Sequence, residues 1–289
     1  MQNNITKPKN FDLSKITFSN VKVNQHGGKS VYVNYNGGPL VMQLPVLSVP
    51  WGMHKDELKD SKTGDTIGHK YTISLSLRDA DSSDDVKTVQ SVVDNLDELM
   101  INAGKENGLT WLKQKNPSID TVRALYTPTL KKSRDPDTNE PDGRFPDTIR
   151  GRVKHWQGKF TTEVYGTDKK IVDDPEEVLT KGSNLKSLWR CKGVWFISGK
   201  FGLSWEFVQI LLTSTPQKIT GFSFLSDSDD DGSDGESDKP TIASQDHTVH
   251  DDDEDDEDDE LDGGVEVDDD DDDDFPPPKK VKVVRKKKT

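Results

Sequence analysis

The aromatic residues of this chain stop at one point. Of 21 Phe, Trp and Tyr residues in a length of 289, only Phe275 lies beyond Leu225, and all six tryptophans lie before it. A core needs large apolar side chains to offset the entropy of ordering the backbone, so residues 1–225 are the part expected to fold. The overall composition, 30% hydrophobic and 32% charged, is that of a folded body averaged with a segment that cannot bury itself.

The charge changes sign at the same place. From Ser226 to Thr289 there are 27 acidic against 8 basic residues, a net of −19. The remaining 31 basic against 26 acidic residues give the body +5, so the overall −14 is the sum of two opposed parts. An acidic block runs from Asp251 to Glu260, and Asp268, Asp269, Asp270, Asp271, Asp272, Asp273 and Asp274 follow without interruption. Mutual repulsion and the lack of apolar groups predict disorder there. Three segments are expected: a folded domain over 1–225, a disordered acidic tail over 226–274, and a Pro/Lys-rich basic terminus over 275–289. Such a charge asymmetry points to nucleic acid or another electrostatic partner.

The body reads as strands with one long helix. Alternation marks strands over Ile16 to Val23, with a slip at Asn20, and over Ser30 to Tyr35, Leu40 to Leu44, and Tyr71 to Leu77. Turns are expected at His26–Lys29 and at Gly37-Gly38. Val86, Val89, Val92, Val93, Leu96, Leu99, Met100 and Ala103 form an apolar stripe, which predicts a helix from Asp84 to about Ala103. Ser82 or Ser83 suits its cap, Asp84 and Asp85 its positive end, and Gly104 its termination. A short helix around Thr110 to Lys115 would stop before Pro117. Further on, strands over Thr148 to Trp156 and Lys159 to Tyr165 flank Gln157-Gly158. Strands over Trp189 to Ser198 and Leu203 to Leu212 flank Gly199-Lys200-Phe201-Gly202. Many short strands with a helix between them predict a mainly β fold, closed or sandwiched, and not a βαβ repeat.

The segment Arg150-Gly-Arg152-Val-Lys154-His-Trp156 carries the most chemistry. In a strand it puts Arg150, Arg152, Lys154 and Trp156 on one face, with Ile149 and Val153 turned to the core. Cations beside an indole suit a phosphodiester chain with unpaired bases, whose stacking contributes about 1–3 kcal/mol per base. A solvated strand face with a partly buried Trp is the equally open alternative. Lys159 extends this basic surface, as do Lys131 and Lys132 from the polar loop before it. Lys192, Lys200 and Phe201 are the exposed candidates of the second strand pair.

Trp195-Phe-Ile-Ser-Gly-Lys-Phe-Gly-Leu-Ser-Trp205, the helix inside a β-rich body, and an aspartate run ended by Phe275 carry a resemblance. Together they resemble the acidic-tailed OB-fold single-stranded-DNA-binding proteins of short-tailed phages and large eukaryotic DNA viruses. The resemblance implies an OB-fold-type β-barrel with long loop insertions that coats single-stranded DNA in viral replication or recombination. It implies a tail that competes for the DNA groove and recruits replication proteins such as a polymerase or helicase. Asp268 to Asp274 and Phe275 match that element by position, although here 14 residues follow the aromatic. The sequence leaves the oligomeric state open, a homodimer included.

Pro276-Pro-Pro-Lys279-Lys280-Val-Lys282 followed by Arg285, Lys286, Lys287 and Lys288 has the form of a nuclear import signal. A basic end that pairs with its own aspartates is the other reading. The expected location is a nucleus or a viral replication site in the cytoplasm of an infected cell. The lone Cys191, the lack of a signal-peptide core and the lack of a membrane-length apolar run argue against secretion and against a membrane partner. No enzyme, cofactor or metal is expected: His26, His54, His69, His155, His247 and His250 are scattered, and no phosphate-binding glycine loop occurs. The rival function is a nuclear histone chaperone, for which the basic face at Arg150, Arg152 and Lys154 would have no use; a structural virion protein is a third class.

Overall fold

The computed structural model describes residues 5–24, 27–59 and 63–216, which up to Thr215 belong to one compact unit. The acidic tail, Phe275, the basic terminus and the boundary at Leu225 lie outside the described residues. In chain order, the barrel and its attachments comprise β1 (Val41–Gln43), β2 (Leu47–Ser48), β3 (Met53–Lys59), β4 (Thr66–Ser76), α1 (Asp84–Glu106), α2 (Gly108–Trp111) and α3 (Ile119–Leu125). They continue with β5 (Thr148–Val153), β6 (His155–Trp156), β7 (Lys159–Phe160), β8 (Glu163–Tyr165), β9 (Asn184–Ile197) and β10 (Lys200–Ser214).

The pairings close on themselves. β9 pairs with β1 and β2, β2 with β4, β4 with β5, β5 with β10, and β10 returns to β9. All are antiparallel except β5–β10, which is parallel. The result is a five-stranded closed barrel of the OB type, with β1 and β2 acting as one strand interrupted at Pro45. α1, α2 and α3 occupy the connection between β4 and β5. A small sheet of Ile16–Phe18, Val33–Tyr35 and Gly38–Pro39 lies outside the cycle.

Period-two patterning fills the interior. Tyr71, Ile73 and Leu75 of β4 face Val153, Gly151 and Ile149 of β5 across the ladder, and these side chains are buried. Trp189 of β9 and Trp205 of β10 stack at the centre with ring centroids 3.6 Å apart and planes 11° apart. Phe207 packs beside them, fully buried. An aromatic pair of this kind adds about 0.5–1.5 kcal/mol beyond the area it removes from water.

α1 carries the expected stripe, with Val86, Val89, Val93, Leu96 and Met100 buried and the Ser83 hydroxyl accepting from the Val86 N–H. It continues past Gly104 to Glu106, however, and Asn107 caps it. Gly104 is a packing position instead: a Cβ there would sit 2.7 Å from the Phe201 ring and 2.9 Å from Val122. The short helix begins earlier than expected, at Gly108, and α3 follows with Ser118 as its cap. On the buried face of α1, Asp97 receives the Tyr126 hydroxyl at 2.5 Å, the Thr129 N–H at 2.9 Å and the Leu130 N–H at 3.3 Å. These bonds fix the segment that leads from α3 toward Lys131.

Two turns differ from expectation in position, and a third joins shorter strands than expected. The chain reverses at Asn36-Gly37, φ 54° and 80°, instead of at Gly37-Gly38. It reverses at Ser198-Gly199, φ 49° and 83°, so Lys200 and Phe201 already belong to β10. Gln157-Gly158, φ 48° and 78°, forms the expected two-residue turn, but only between the short β6 and β7. All three have φ > 0 at both central residues, the combination whose twist matches paired strands. β8 leaves that hairpin to pair in parallel with β10. β3, rich in charge, is an edge strand that alternation did not reveal.

Cys191 lies inside β9, and burial pushes its thiol up to about 12. The thiolate is the reactive form. Cys191 is therefore expected to resist a disulfide reagent at pH 8 until denaturant opens the barrel, when one equivalent should react. Rapid stoichiometric labelling of the native protein would contradict this placement.

Candidate nucleic-acid interface

The outer surface of the β4–β5–β10–β9 wall gathers cations from separate parts of the chain. On β5, Ile149, Gly151 and Val153 are buried and Arg150 and Arg152 point outward, Arg150 exposed and Arg152 half-buried. Their lateral neighbours on β4 are Ser74 and Thr72, and Arg150 Nε lies 3.4 Å from Ser74 Oγ. Short polar side chains beside the two arginines leave the guanidinium groups above the sheet.

On the other side, Arg152 is paired in register with Glu206 of β10, and Glu206 with Arg190 of β9. Glu206 is only 3% exposed and is held by the Arg190 guanidinium through both Nε and Nη2. A buried carboxylate requires such a partner, because an uncompensated buried charge costs about 3–5 kcal/mol. The pair fixes Arg190 on the outer face between β10 and β1. Sequence reasoning missed both residues. The Trp189-Arg190-Cys191-Lys192 alternation could have placed Arg190 beside Lys192, but the partnership with Glu206 depends on strand register.

Lys192, half-buried, follows on the same strand at the bulge between Cys191 and Gly193. Gly193 is needed there, because at φ 144° a Cβ would meet the Val31 carbonyl oxygen at 2.5 Å. Lys131 exchanges both backbone hydrogen bonds with Thr148, at 2.8 and 2.9 Å, so it borders β5 two residues before Arg150. Lys132 turns to the helix, its Nζ 3.8 Å from Asp94 Oδ1 of α1. Lys200 is exposed at the start of β10, opposite Ile197.

Two expectations need correction. The face Arg150–Arg152–Lys154–Trp156 is not continuous. β5 ends at Val153, and Lys154 lies in the break before β6, where its N–H donates to Thr162 Oγ1 at 2.8 Å and its carbonyl accepts from Thr161 at 2.9 Å. Trp156 and Lys159 then face each other across a separate hairpin, with Trp156 51% exposed. That hairpin is seated on the barrel by its base, where His155, Phe160 and Tyr71 cluster with ring centroids 4.8–5.0 Å apart. Second, Phe201 is 0% exposed, packed on Tyr126 and Trp111 and over Gly104. The Ser198-Gly199 turn shifts the inside–outside phase, so Phe201 belongs to the core and cannot stack a base.

Among the described residues, no group of three or more His, Cys, Asp or Glu side chains is arranged to hold a metal ion, and no helix is long and apolar enough to cross a membrane.

No protein-family model matches the chain, and no curated protein matches it. Among solved structures it is similar to the single-stranded DNA-binding protein from bacteriophage Enc34 in complex with ssDNA, with a TM-score of 0.38 and 15% identity over 70% of this chain and 98% of that one. It is also similar to gp2.5, a single-stranded DNA-binding protein encoded by bacteriophage T7, with a TM-score of 0.36 and 10% identity over 64% of this chain and 91% of that one.

Proposed function

We propose that the protein binds single-stranded DNA without sequence preference on this outer wall. The observation that carries the reading is the convergence of Arg150 and Arg152 of β5 with Arg190 and Lys192 of β9 from the two sides of β10, bordered by the exposed Trp156–Lys159 pair. Fixed cations meet the phosphates, and an exposed indole stacks on any base. Outer strand faces with nearby loops are where OB-type barrels take oligonucleotides. In the same reading the protein serves replication or recombination of a viral genome, in a nucleus or a cytoplasmic replication site. The acidic tail, with its seven aspartates and Phe275, competes for the wall and recruits a polymerase or helicase, and Lys279–Lys288 direct nuclear import.

The test is a titration of the full chain with oligo-dT, with duplex DNA of equal length, and with purified histones. Contact with about four phosphates predicts a log–log salt slope of roughly −3, at about −0.7 per contact. Arg150→Ala or Arg152→Ala should each flatten the slope by about 0.7. Truncation after Leu225 should tighten DNA binding at low salt, and the gain should fade as salt screens the internal competitor. Equal affinity for duplex, or salt-insensitive binding, would sink the assignment. Tight histone binding with no binding of oligo-dT would favour the chaperone instead.

A further inference from the structure

We propose that Trp195 is a second base-stacking platform, at the opposite end of the cationic strip from the Trp156 hairpin. The proposal rests on the reading of the wall as a single-stranded-DNA site. Trp195 sits laterally between Ser30 of the Lys29–Val31 strand and Gly202 of β10. Ser30 is next to Lys22, and Gly202 next to Thr127. Laterally paired residues share a face. The flanking pairs point inward: Val194 with Val31 is buried, and Phe196 stacks on Phe201. Trp195 is therefore turned outward, and it is half-buried.

Its surroundings are low on both sides. Ser30 is short, and Gly202 has no side chain: a Cβ there would meet Trp195 Cζ2 at 2.8 Å. The indole therefore extends over β10 in the space that this glycine leaves. At the rim is Lys22, exposed, with its Nζ 4.6 Å from the centre of the Tyr32 ring. Along β10, Gly202 precedes Glu206 by four residues, about 13 Å at 3.3 Å per residue. Along β9, Trp195 follows Lys192 and Arg190. The order along the wall is therefore Trp195, then Lys192, then Arg190 with Arg152, and then the hairpin beyond Val153. An indole at one end of a run of cations gives an incoming strand a place for a base where the phosphate contacts stop.

The experiment uses the full chain and oligo-dT. Trp195→Ala is expected to weaken binding about tenfold or more with an unchanged salt slope, since stacking carries no charge, and Trp195→Phe should recover most of the loss. Photocrosslinking of the unaltered protein to a bromodeoxyuridine oligonucleotide, mapped by mass spectrometry, should mark Trp195. That readout does not depend on how any variant folds. An unaltered protein that fails to bind oligo-dT would overturn the functional reading itself. Binding that responds to Arg150→Ala, with no crosslink at Trp195, would overturn this proposal alone. So would a folded Trp195→Ala that binds as the unaltered protein does.

Discussion

Asp97→Ala is expected to cost about 3 kcal/mol of folding free energy, because it strands three donors at once. The Tyr126 hydroxyl and the Thr129 and Leu130 N–H groups all end on this carboxylate, and Tyr126 is itself buried. For a body of this size the melting temperature should fall by roughly 6–12 °C. Asp97→Asn should lose less: its carbonyl oxygen can still accept from Tyr126, but its amide would face the two backbone donors. Burial raises the Asp97 carboxyl above its ordinary range, against the lowering effect of its hydrogen bonds to Tyr126, Thr129 and Leu130. With the folded value above the unfolded one, the native state holds this proton more tightly. The stabilisation is full below the unfolded value and is lost as pH rises through the folded one. The advantage of the unaltered protein over Asp97→Asn should therefore be largest in acid and shrink as pH rises past the carboxylate range. Melting curves across pH check both statements; an advantage that grows with pH would reverse the assigned shift.

Gly151→Ala should destabilise the barrel by about 1–3 kcal/mol, and Gly151→Val should prevent it from closing. A Cβ at this position would come within 2.7 Å of Phe207 Cε2 and 3.0 Å of Trp189 Nε1, and both rings are fully buried. Neither ring can withdraw without disturbing the Trp189–Trp205 stack, so loss of near-ultraviolet dichroism should accompany the fall in melting temperature. Arg150→Ala, one residue away on the outer face, should shift stability by less than about 0.5 kcal/mol. If Gly151→Ala melts with the unaltered protein, the close approach between β5 and the core aromatics is wrong.

This pair of neighbours shows what was legible in the sequence. Alternation put Ile149 and Val153 inside and Arg150 and Arg152 outside, and the stripe from Val86 to Ala103 located α1, because local periodicity is set by which face is buried. What the sequence hid depends on contacts between distant residues. Gly104 looks like a helix stop until Phe201 needs its missing side chain. Phe201 looks exposed until a two-residue turn at Ser198-Gly199 changes the phase of β10. Lys154 looks like the third cation on a strand until the Thr162 hydroxyl takes its N–H and the ladder breaks there. Alternation could place Arg190 beside Lys192, but its partnership with Glu206, sixteen residues on, depends on register, and β3 carries too many charges to signal a strand at all.

The strand that closes the barrel is also the last to be made. β10 pairs with β9, β5, β8 and the Tyr126–Thr127 segment, joining residues separated by as many as 75 positions. On a ribosome, the Trp189 ring must wait for Trp205 and Phe207 of β10 before its stacking partner and close neighbour exist. High contact order makes such closure slow, and a chain that stalls before residue 200 exposes an open sheet with two unpaired edges. Any fragment that ends inside β10 should therefore aggregate, not bind weakly, and mapping of binding by progressive shortening is informative only beyond Ser214.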